Sequence, residues 1–455
     1  MTMIDIDQIS VAVLKELIAE RNVKTLRYLF DELNIIDLTE MVSQLENEEI
    51  LFLFKTLKRE ISAEIFTYLP YEDKENVIQS FTSGEITSML DNLYSDDIVD
   101  FLEEMPANVV RHVLLAATKE QRDEINLLLS YPENSAGSLM SLAFVELEAS
   151  DTIKKALKKV KNQGKKAETI SVCFIIDDHR KLVGTISLRA MLFAKDDEII
   201  SDLMDIDMVY VETHDDQEEV AKVFARYDMS VIPVVNDELR LIGIVTVDDI
   251  IDIVQEEVTE DIQKMAAILP VEGSYLDSSV FKISKSRIAW LLVLMISATL
   301  TGNIIAGFED RLSAIPALAY FIPMIMSAGG NAGSQASSMV IRGIAIDELS
   351  VKDYWRVMIK ELEVAFLTGA VLFIANLVRL VVFMPSTNFR VDLVVSLTLF
   401  LTIVTAKLVG GLLPLIAKSF KQDPAAMAAP VITTIVDAAA LLIYFGLAFA
   451  LLQIL

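Results

Sequence analysis

Cysteine, histidine and positive charge are all scarce in this chain. A single cysteine, Cys173, among 455 residues excludes a disulfide within the chain. The three histidines, His112, His179 and His214, precede the apolar second half, so that half lacks the H-E-x-x-H motif of a metalloprotease. Acidic residues outnumber Lys and Arg by 66 to 39, and a net charge of −27 argues against nucleic-acid binding.

Charge and hydropathy divide the chain into two parts. Mean hydropathy is +0.46, which is high for a chain with 23% charged residues. Residues 286–455 carry 11 Lys or Arg and 10 Asp or Glu, so the acidic surplus belongs to residues 1–285. The start, MTMIDIDQIS, lacks the basic and apolar regions of a signal peptide. We therefore expect an acidic cytoplasmic part followed by a membrane part.

The acidic part shows two different periodicities. Residues 1–130 repeat apolar positions at i, i+3, i+4 and i+7, which predicts a superhelical domain of short amphipathic helices. Helix starts are expected at residues 82–85 and 95–97. In residues 131–250 the order strand, helix, strand, strand, helix occurs twice, over about 138–203 and 204–250. DHRKLVGTISLRAML pairs with NDELRLIGIVTVDDI, which predicts an α/β domain built from an internal repeat.

A long amphipathic helix over residues 247–270 and a linker over 271–285 lead to the membrane part, residues 286–455. Five all-α spans, each long enough to cross a bilayer, are predicted near residues 287–307, 312–342, 355–383, 393–417 and 429–454. Lys and Arg are concentrated on the side that would face the cytoplasm, with only Arg311 and Arg390 on the other. The cytoplasmic set is Lys282, Lys285, Arg287, Arg342, Lys352, Arg356, Lys360, Lys418 and Lys421. The amino terminus would then be cytoplasmic and the carboxyl terminus outside.

An acid in the middle of the fifth span is the first candidate for chemistry, because charge is costly in hydrocarbon. Asp437 shares a helix face with Thr433 and Thr434, and Pro430 would free the carbonyl of Ala426 from its helical partner. Such oxygen ligands suit Mg²⁺ or Ca²⁺. The alternative is a buried structural acid that is paired with a cation, either Lys407 or Arg379.

The second span contains a run of small residues, SAGGNAGSQASS. Here residues 328–331 are predicted to open the helix and expose carbonyls, and Asn331 would add a side-chain amide. The alternative is plain helix packing, for which small residues are well suited.

Several of these motifs together resemble one family. SVIPVV with LIGIVTVDDI resembles the second half of a tandem CBS pair, and YPENSAGSLM resembles an entry segment of the MgtE family of bacterial magnesium channels. GGNAGSQ followed by Arg342, and DPAAMAAPVITTIVDAAALLIYF, are similar to the membrane signatures of that family. The resemblance implies a homodimer in the cytoplasmic membrane, with a magnesium path that Asp437 and Asn331 line.

The resemblance also implies that the acidic part senses cytosolic Mg²⁺. Acidic faces that repel one another can be bridged by divalent cations, which would favour a compact, closed state. Without the resemblance, a solvated acidic surface explains the same charge run. The sensor candidates are Asp91, Asp96, Asp97, Asp100, Asp228, Asp249, Asp252, Glu257, Glu260 and Asp261.

A nucleotide is the second ligand that the resemblance implies. Gly243, Thr246 and Asp249 fit the G-x-x-T-x-x-D pattern of CBS pairs, in which Thr and Asp meet a ribose. The first repeat has Ala190 where that pattern has the acid, so at most one good site is expected, with ATP as its ligand.

The predicted function is therefore a magnesium-selective channel, not an enzyme, that admits Mg²⁺ down its gradient and closes when cytosolic Mg²⁺ binds. Two alternatives remain: a membrane Mg²⁺ sensor that conducts nothing, and a broader Co²⁺ or Mn²⁺ transporter. An intramembrane aspartyl protease is disfavoured because only Asp437 is central in a span. A chloride channel is disfavoured because a mid-membrane carboxylate repels anions.

Overall fold

The structure is a computed structural model that describes residues 10–271, 275–276, 278–384, 388–427 and 429–452. Parts of the predicted linker 271–285, the start of the predicted helical domain and the end of the predicted fifth span lie outside these residues. The chain divides into two compact units, Met1–Val254 and Gln255–Leu455.

Short amphipathic helices make up the first part of the first unit. Each buries one apolar stripe in a shared core, as its i, i+3, i+4 spacing predicts. The expected start at residues 82–85 is a capping box, in which the Thr82 N–H donates to Glu85 Oε2 at 2.8 Å. The helices are α1 Val11–Ala19, α2 Val23–Glu32, α3 Ile35–Val42, α4 Asn47–Thr56, α5 Arg59–Tyr68, α6 Tyr71–Ser80, α7 Ser83–Leu90, α8 Ser95–Glu104, α9 Ala107–Ala116 and α10 Lys119–Leu128.

The predicted internal repeat is confirmed. Two three-stranded sheets have the orders β1-β2-β3 and β4-β5-β6, each with one parallel and one antiparallel pair. The strands are β1 Glu146–Glu148, β2 Val172–Ile176, β3 Leu182–Ser187, β4 Val211–Glu212, β5 Val231–Val235 and β6 Leu241–Thr246. The helices between and around them are α11 Ala136–Leu139, α12 Ile153–Gln163, α13 Leu188–Phe193, α14 Gln217–Tyr227 and α15 Val247–Met265.

The two repeats also contact each other through backbone atoms at corresponding positions of their hairpins. The hairpin turns place Arg180 and Leu239 at φ 62° and 61°, and the Leu182 N–H donates to the Leu239 carbonyl at 2.9 Å. The Leu241 N–H donates to the Arg180 carbonyl at 3.1 Å in return. This exchange joins the two hairpins and places α13 and α15 at corresponding positions of the pair.

Helix α15 is shorter than its predicted range of 247–270. It ends at Met265 because Ala267 adopts a left-handed conformation with φ 59°, and Pro270 follows. The next helix starts at Val280, several residues before the predicted membrane part.

The second unit is helical and apolar. Its helices are α16 Val280–Ala306, α17 Glu309–Ala314, α18 Ile322–Ala345, α19 Tyr354–Phe383, α20 Phe389–Ser419 and α21 Ala429–Leu452. Within the described residues, four segments have the length and hydropathy to cross a membrane: Val280–Ala306, Val351–Phe383, Phe389–Ser419 and Pro430–Leu452. Helix α20 packs against α18, α19 and α21. The predicted count of five spans therefore depends on α18 and stays a prediction.

The expectation that the second span opens at residues 328–331 is wrong, because α18 is one continuous helix from Ile322 to Ala345. Its glycines serve close packing instead. A methyl group on Gly329 would lie 2.7 Å from Thr402 Cγ2 and 2.8 Å from Val436 Cγ1, and one on Gly333 would lie 2.7 Å from Ile432 Cγ2. The packing interpretation of these small residues is the one that holds here.

Replacing Gly410 of α20 tests this close packing. A methyl group there would overlap the backbone of Gly333, whose carbonyl carbon would lie 2.8 Å away. Backbone cannot move aside as a side-chain end can, so we expect Gly410→Ala to cost about 1–3 kcal/mol despite the better helix propensity of alanine. The midpoint of thermal unfolding in detergent measures this. The matched control is Gly446→Ala on α21, where nothing lies within 4 Å of the added methyl. Equal midpoints for the two variants would contradict this account.

Candidate functional site

Three carboxylates from distant parts of the sequence converge in the first unit. One oxygen each of Asp96, Glu168 and Asp249 lies within 4.8 Å of the others. Asp96 and Asp249 are among the sensor candidates predicted from the sequence, whereas Glu168 is not. Glu168 lies in a lysine-rich loop with no periodicity, so nothing in the sequence singles it out.

Two helix starts and one loop position these side chains. Asp96 and Asp97 occupy the first turn of α8, and Asp249 occupies the first turn of α15. The positive end of each helix dipole favours a carboxylate at that place. The loop is fixed by its backbone, because the Glu168 N–H donates to the Ala143 carbonyl at 2.8 Å. The Asp249 side chain accepts from Thr246 Oγ1 at 2.6 Å, which orients it.

Hydroxyl donors reach part of this site, since those of Ser141 and Thr246 lie beside the Glu168 carboxylate, but two of its carboxylate oxygens are left without a donor among the described residues. Asp96 is only 7% exposed, and its Oδ1 and the Oε2 of Glu168 have no hydrogen-bond partner within the described residues. Burial, together with the charges of Glu168 and Asp97, raises the pKa of Asp96 well above its usual range. Burial also raises the pKa of Glu168 to about 7 and that of Asp97 to about 6, and Asp249 adds to both shifts.

Such an arrangement suits a small divalent cation. Mg²⁺ binds oxygen at about 2.1 Å in an octahedron, so its ligands stand roughly 3–4.2 Å apart, and it usually keeps several waters. Three carboxylate oxygens within 4.8 Å match an ion held partly through water. An orphaned buried carboxylate oxygen is costly, and a bound cation would satisfy it.

The other sensor candidates divide into three groups. Asp97, Asp100 and Asp252 carry charge close to the Asp96, Glu168 and Asp249 group or to its neighbours. Asp91, at the end of α7, accepts from Gln121 Nε2 at 3.0 Å, and Asp228 is the left-handed cap of α14 with φ 51°. Glu257, Glu260 and Asp261 lie on the part of α15 that belongs to the second unit.

Glu260 contacts a cation of the protein itself. Lys264 Nζ lies 2.8 Å from Glu260 Oε1 and 2.7 Å from Asp423 Oδ2. Glu260 is predicted from the sequence as a Mg²⁺ ligand, and no role is predicted there for Lys264. An i, i+4 Glu–Lys pair is common on helices, so this spacing alone did not point to Asp423.

The candidate pore residues of α21 lie on its first turns. Thr433 Oγ1 and Thr434 Oγ1 donate to the Pro430 carbonyl at 3.1 and 2.9 Å, which leaves lone pairs on the two hydroxyl oxygens. The expectation that Pro430 lies inside a helix that includes Ala426 is wrong, whereas the Ala426 carbonyl as a pore ligand stays a prediction. Ala426 belongs to a separate 3₁₀ turn, Ala425–Met427, and Pro430 sits in the first turn of α21, where a missing N–H costs little.

Asp437 and Asn331 lie on neighbouring helices, about one helical turn apart in depth. Gly329 contacts Val436 and Gly333 contacts Ile432, so α18 and α21 run antiparallel. Gly330 faces Thr433, and one turn further along α21 brings Asp437 to the level of Ser327, one turn earlier on α18. Asn331 Nδ2 donates to Ser327 Oγ at 3.5 Å.

The alternative of a structural Asp437 ion pair finds no support within the described residues. No cationic group there lies within 4 Å of the Asp437 carboxylate. Of its two suggested partners, Arg379 donates to Asn376 Oδ1 at 2.8 Å. Lys407 is buried and faces the charge of Glu361.

The predicted nucleotide residues are close together but crowded. A methyl group on Gly243 would lie 2.7 Å from Met140 Sδ, Thr246 is 4% exposed, and Asp249 faces the other two carboxylates. A cavity of about 370 Å³ lies instead between the two repeats, on the side that carries Ser187 and Ala190. Its lining includes Val172, Ser187, Ala190, Asp205, Asp207 and Met229.

Comparison with known families covers most of the chain. Residues 322–447 match the family described as MgtE, divalent cation transporter. Residues 33–134 match the MgtE intracellular N domain, and residues 136–197 and 200–256 match CBS domains. These ranges follow the helical part, the repeated α/β part and the apolar helices in order.

Similar proteins agree along nearly the full length. The magnesium transporter MgtE of Thermus thermophilus is 32% identical over 97% of this chain and 98% of its own length. That of Bacillus subtilis is 32% identical over 92% and 95%.

Two solved structures are similar to somewhat more than half of this chain. The soluble part of a magnesium transporter has a TM-score of 0.53 at 30% identity and covers 56% of this chain and 99% of its own. The cytosolic domain of the Mg²⁺ channel MgtE in complex with ATP has a TM-score of 0.51 at 31% identity and covers 53% and 99%. The chain is thus an integral membrane transporter and not an enzyme, and it belongs to the MgtE family of magnesium transporters.

Proposed function

We propose that this protein is a homodimeric channel that conducts Mg²⁺ into the cytoplasm and closes when cytosolic Mg²⁺ binds its acidic unit. The observation that carries the gating part is the group of Asp96, Glu168 and Asp249. Asp96 Oδ1 is buried, has no hydrogen-bond partner within the described residues, and lies beside two further carboxylates. A cation bound there would stabilise the folded unit because it would pair with this oxygen. Its ligands come from α8, a loop and α15, so one ion would join three segments.

Closure follows from the linkage between binding and conformation. Without a cation, repulsion among the three carboxylates favours arrangements in which α8 and α15 separate. A cation that binds only the compact arrangement stabilises it by an amount that grows with its concentration. We propose that α15, which starts at this site, carries the change toward the membrane unit. High cytosolic Mg²⁺ would then close the pore, which is negative feedback.

A polar stripe on α18 supports the conducting part of the proposal. Ser327, Asn331, Gln335 and Ser338 recur at helical spacing and are exposed on the single protomer. Polar side chains at membrane depth need a polar or aqueous neighbour, which a second copy and a water-filled path would supply. Asp437 lies at the level of this stripe. Two such carboxylates could hold a mostly hydrated Mg²⁺, and the membrane potential would drive it inward at about 4.6 kcal/mol per 100 mV for two charges.

The membrane placement is part of the same proposal. We place the protein in the bacterial cytoplasmic membrane, with five spans in residues 286–455, a cytoplasmic amino terminus and an outside carboxyl terminus. The basic residues at one set of helix ends support this orientation. Residues 1–130 and 131–250 belong to it as the sensor domains, and α15, Val247–Met265, belongs to it as the connecting helix.

ATP is the proposed second ligand of the acidic unit, since a similar cytosolic domain was crystallised with it. Gly243, Thr246 and Asp249 are the residues proposed to meet it. Asp249 also belongs to the cation group, so nucleotide and cation would compete for this carboxylate. Binding in the cleft beside Ala190 would avoid that competition.

Mutation of Asp437 tests conduction. We expect Asp437→Asn and Asp437→Ala to lower Mg²⁺ flux into proteoliposomes at least about tenfold, because a neutral side chain attracts a dication far less. Flux is measured with an enclosed Mg²⁺ indicator, and gel filtration checks that the variants are folded. The control is Glu348→Gln, an exposed acid beyond the end of α18. Undiminished flux in a folded Asp437 variant would remove it from the path, and absent wild-type flux would favour a sensor that conducts nothing.

Mutation of Glu168 tests gating. We expect Glu168→Gln, alone or with Asp96→Asn, to raise the Mg²⁺ concentration that half-inhibits the current by about tenfold or more, because one or two charged ligands are lost. Maximal current should be unchanged, since neither residue lies in the membrane unit. Inside-out patches with Mg²⁺ varied on the exposed soluble side give both values. Glu120→Gln on α10 is the matched control, and an equal shift in that variant would show a nonspecific charge effect.

Acid should weaken Mg²⁺ binding in a defined range. The Glu168 pKa is about 7, so at pH 6 a cation must displace a proton from most molecules, and we expect about tenfold weaker binding than at pH 8. Without Mg²⁺, acid stabilises the fold instead of weakening it. The reason is that folding raises the pKa of Glu168, so the folded state binds the proton more tightly than the unfolded state does. The free energy of unfolding should therefore fall as pH rises from 4.5 to about 7. Calorimetric titration and thermal unfolding measure the two effects. Both should flatten in Glu168→Gln, and a wild-type profile there would contradict the assignment.

A further inference from the structure

Lys264 joins two acidic residues that are far apart in sequence. Its ammonium lies 2.8 Å from Glu260 Oε1, one turn earlier on α15, and 2.7 Å from Asp423 Oδ2, just before α21. All three side chains are partly buried, with Lys264 24% exposed and each acid 36% exposed. Charge-assisted hydrogen bonds of this length are stronger than those between neutral groups.

Asp423 in turn holds the segment that leads into α21. Its Oδ1 accepts the backbone N–H of Ala425 at 2.8 Å, and Ala425 starts the 3₁₀ turn Ala425–Met427. Ala425 is 1% exposed and packs with Ile341 of α18 and Met265 of α15. The end of α15 therefore grips this turn in two ways: an ion pair through Lys264 and an apolar contact through Met265.

The lysine differs from a bound ion in one respect. Glu256, Glu257, Glu260 and Asp261 make this part of α15 acidic, and Asp423 is acidic too, so contact between them needs a positive charge. A Mg²⁺ ion could supply it only at sufficient concentration. Lys264 supplies it at every concentration. Burial lowers the pKa of Lys264, but the hydrogen bonds to Asp423 and Glu260 outweigh this and raise the pKa overall, so the lysine stays charged across the physiological range.

We propose that Lys264 is a positioning residue that fastens the end of α15 to the turn before α21 and so sets how much cytosolic Mg²⁺ closes the pore. This rests on the proposed function, in which α15 transmits closure. The fastened arrangement corresponds to the closed state. It holds the turn between α15 and α18, and this turn leads into α21, so it restrains both α18, which carries Asn331, and α21, which carries Asp437. Loss of the tether favours the released state, and more Mg²⁺ is then needed for closure.

Lys264→Met keeps the length of the side chain and removes its charge. Currents carried by Mg²⁺ in inside-out patches, with Mg²⁺ varied on the soluble side, give the half-inhibiting concentration and the maximal current separately. We expect the half-inhibiting concentration to rise about three- to tenfold with maximal current unchanged. Lys264→Arg, which keeps the charge, should stay close to wild type. The matched control is Lys421→Met, which removes a charge two residues from Asp423 and forms no ion pair within the described residues.

A double-mutant cycle separates the tether from a general charge effect. Asp423→Asn alone should shift the half-inhibiting concentration in the same direction, and adding it to Lys264→Met should shift it little further, because either change breaks the same bond. Additive shifts, an unchanged value in Lys264→Met, or a shift toward lower Mg²⁺ would each overturn the proposal. If Lys264→Met does not fold, Asp423→Asn against Lys421→Met decides. A wild-type current that Mg²⁺ on the soluble side does not inhibit would reject the proposed gating itself, which is a different result.

Discussion

Three carboxylates that share a buried site repel one another, and the acidic unit is organised around that repulsion. Burial removes the water that would screen Asp96 and Glu168, so ionising them is costly and a cation beside them favours their charged forms. Two helix starts aim positive dipole ends at the site, which lowers the cost without removing it. The compact arrangement is therefore intrinsically dependent on protons or cations. A solvated acidic surface would have no such dependence, because its charges keep their hydration.

The membrane unit, Gln255–Leu455, depends on close packing and not on charge repulsion. Its helices have no hydrophobic driving force against one another within lipid, so they depend on close fit. Gly329, Gly333 and Gly410 allow α18, α20 and α21 to approach until side chains or backbone touch. This contact fixes the depth of Asn331 relative to Asp437. The acidic unit can respond to ions because like charges repel one another inside it. The membrane unit holds polar groups in place because its helices are tightly packed.

Sequence patterns predicted the features that depend on local spacing. The amphipathic helices, the doubled strand order and the Thr82 cap follow from periodicity and capping chemistry. Asp96 and Asp249 were named as sensor candidates through the family resemblance. Glu168 was missed because it meets Asp96 and Asp249 only in the folded chain, and more than seventy residues separate it from each of them in sequence. The helix break at residues 328–331 was wrong because glycine permits both an opened helix and a close contact. Only the neighbouring helix decides between them, and the sequence does not say which residues that neighbour presents.

Acidic residues of helix α15 are neutralised in two ways: by a cation that can bind and leave, and by a lysine of the protein itself. Asp249 near its start belongs to the cation group, and Lys264, fifteen residues later and roughly 22 Å along the helix axis, provides a permanent positive charge. An exchangeable cation makes the closing free energy depend on concentration, whereas a fixed cation adds a constant. In the proposed gating, the number of exchangeable ions would set how steeply the pore responds to Mg²⁺, and the fixed contact would set the concentration at which it responds. Relatives with identical sensor acids could work at different Mg²⁺ levels through changes at the fixed contact alone.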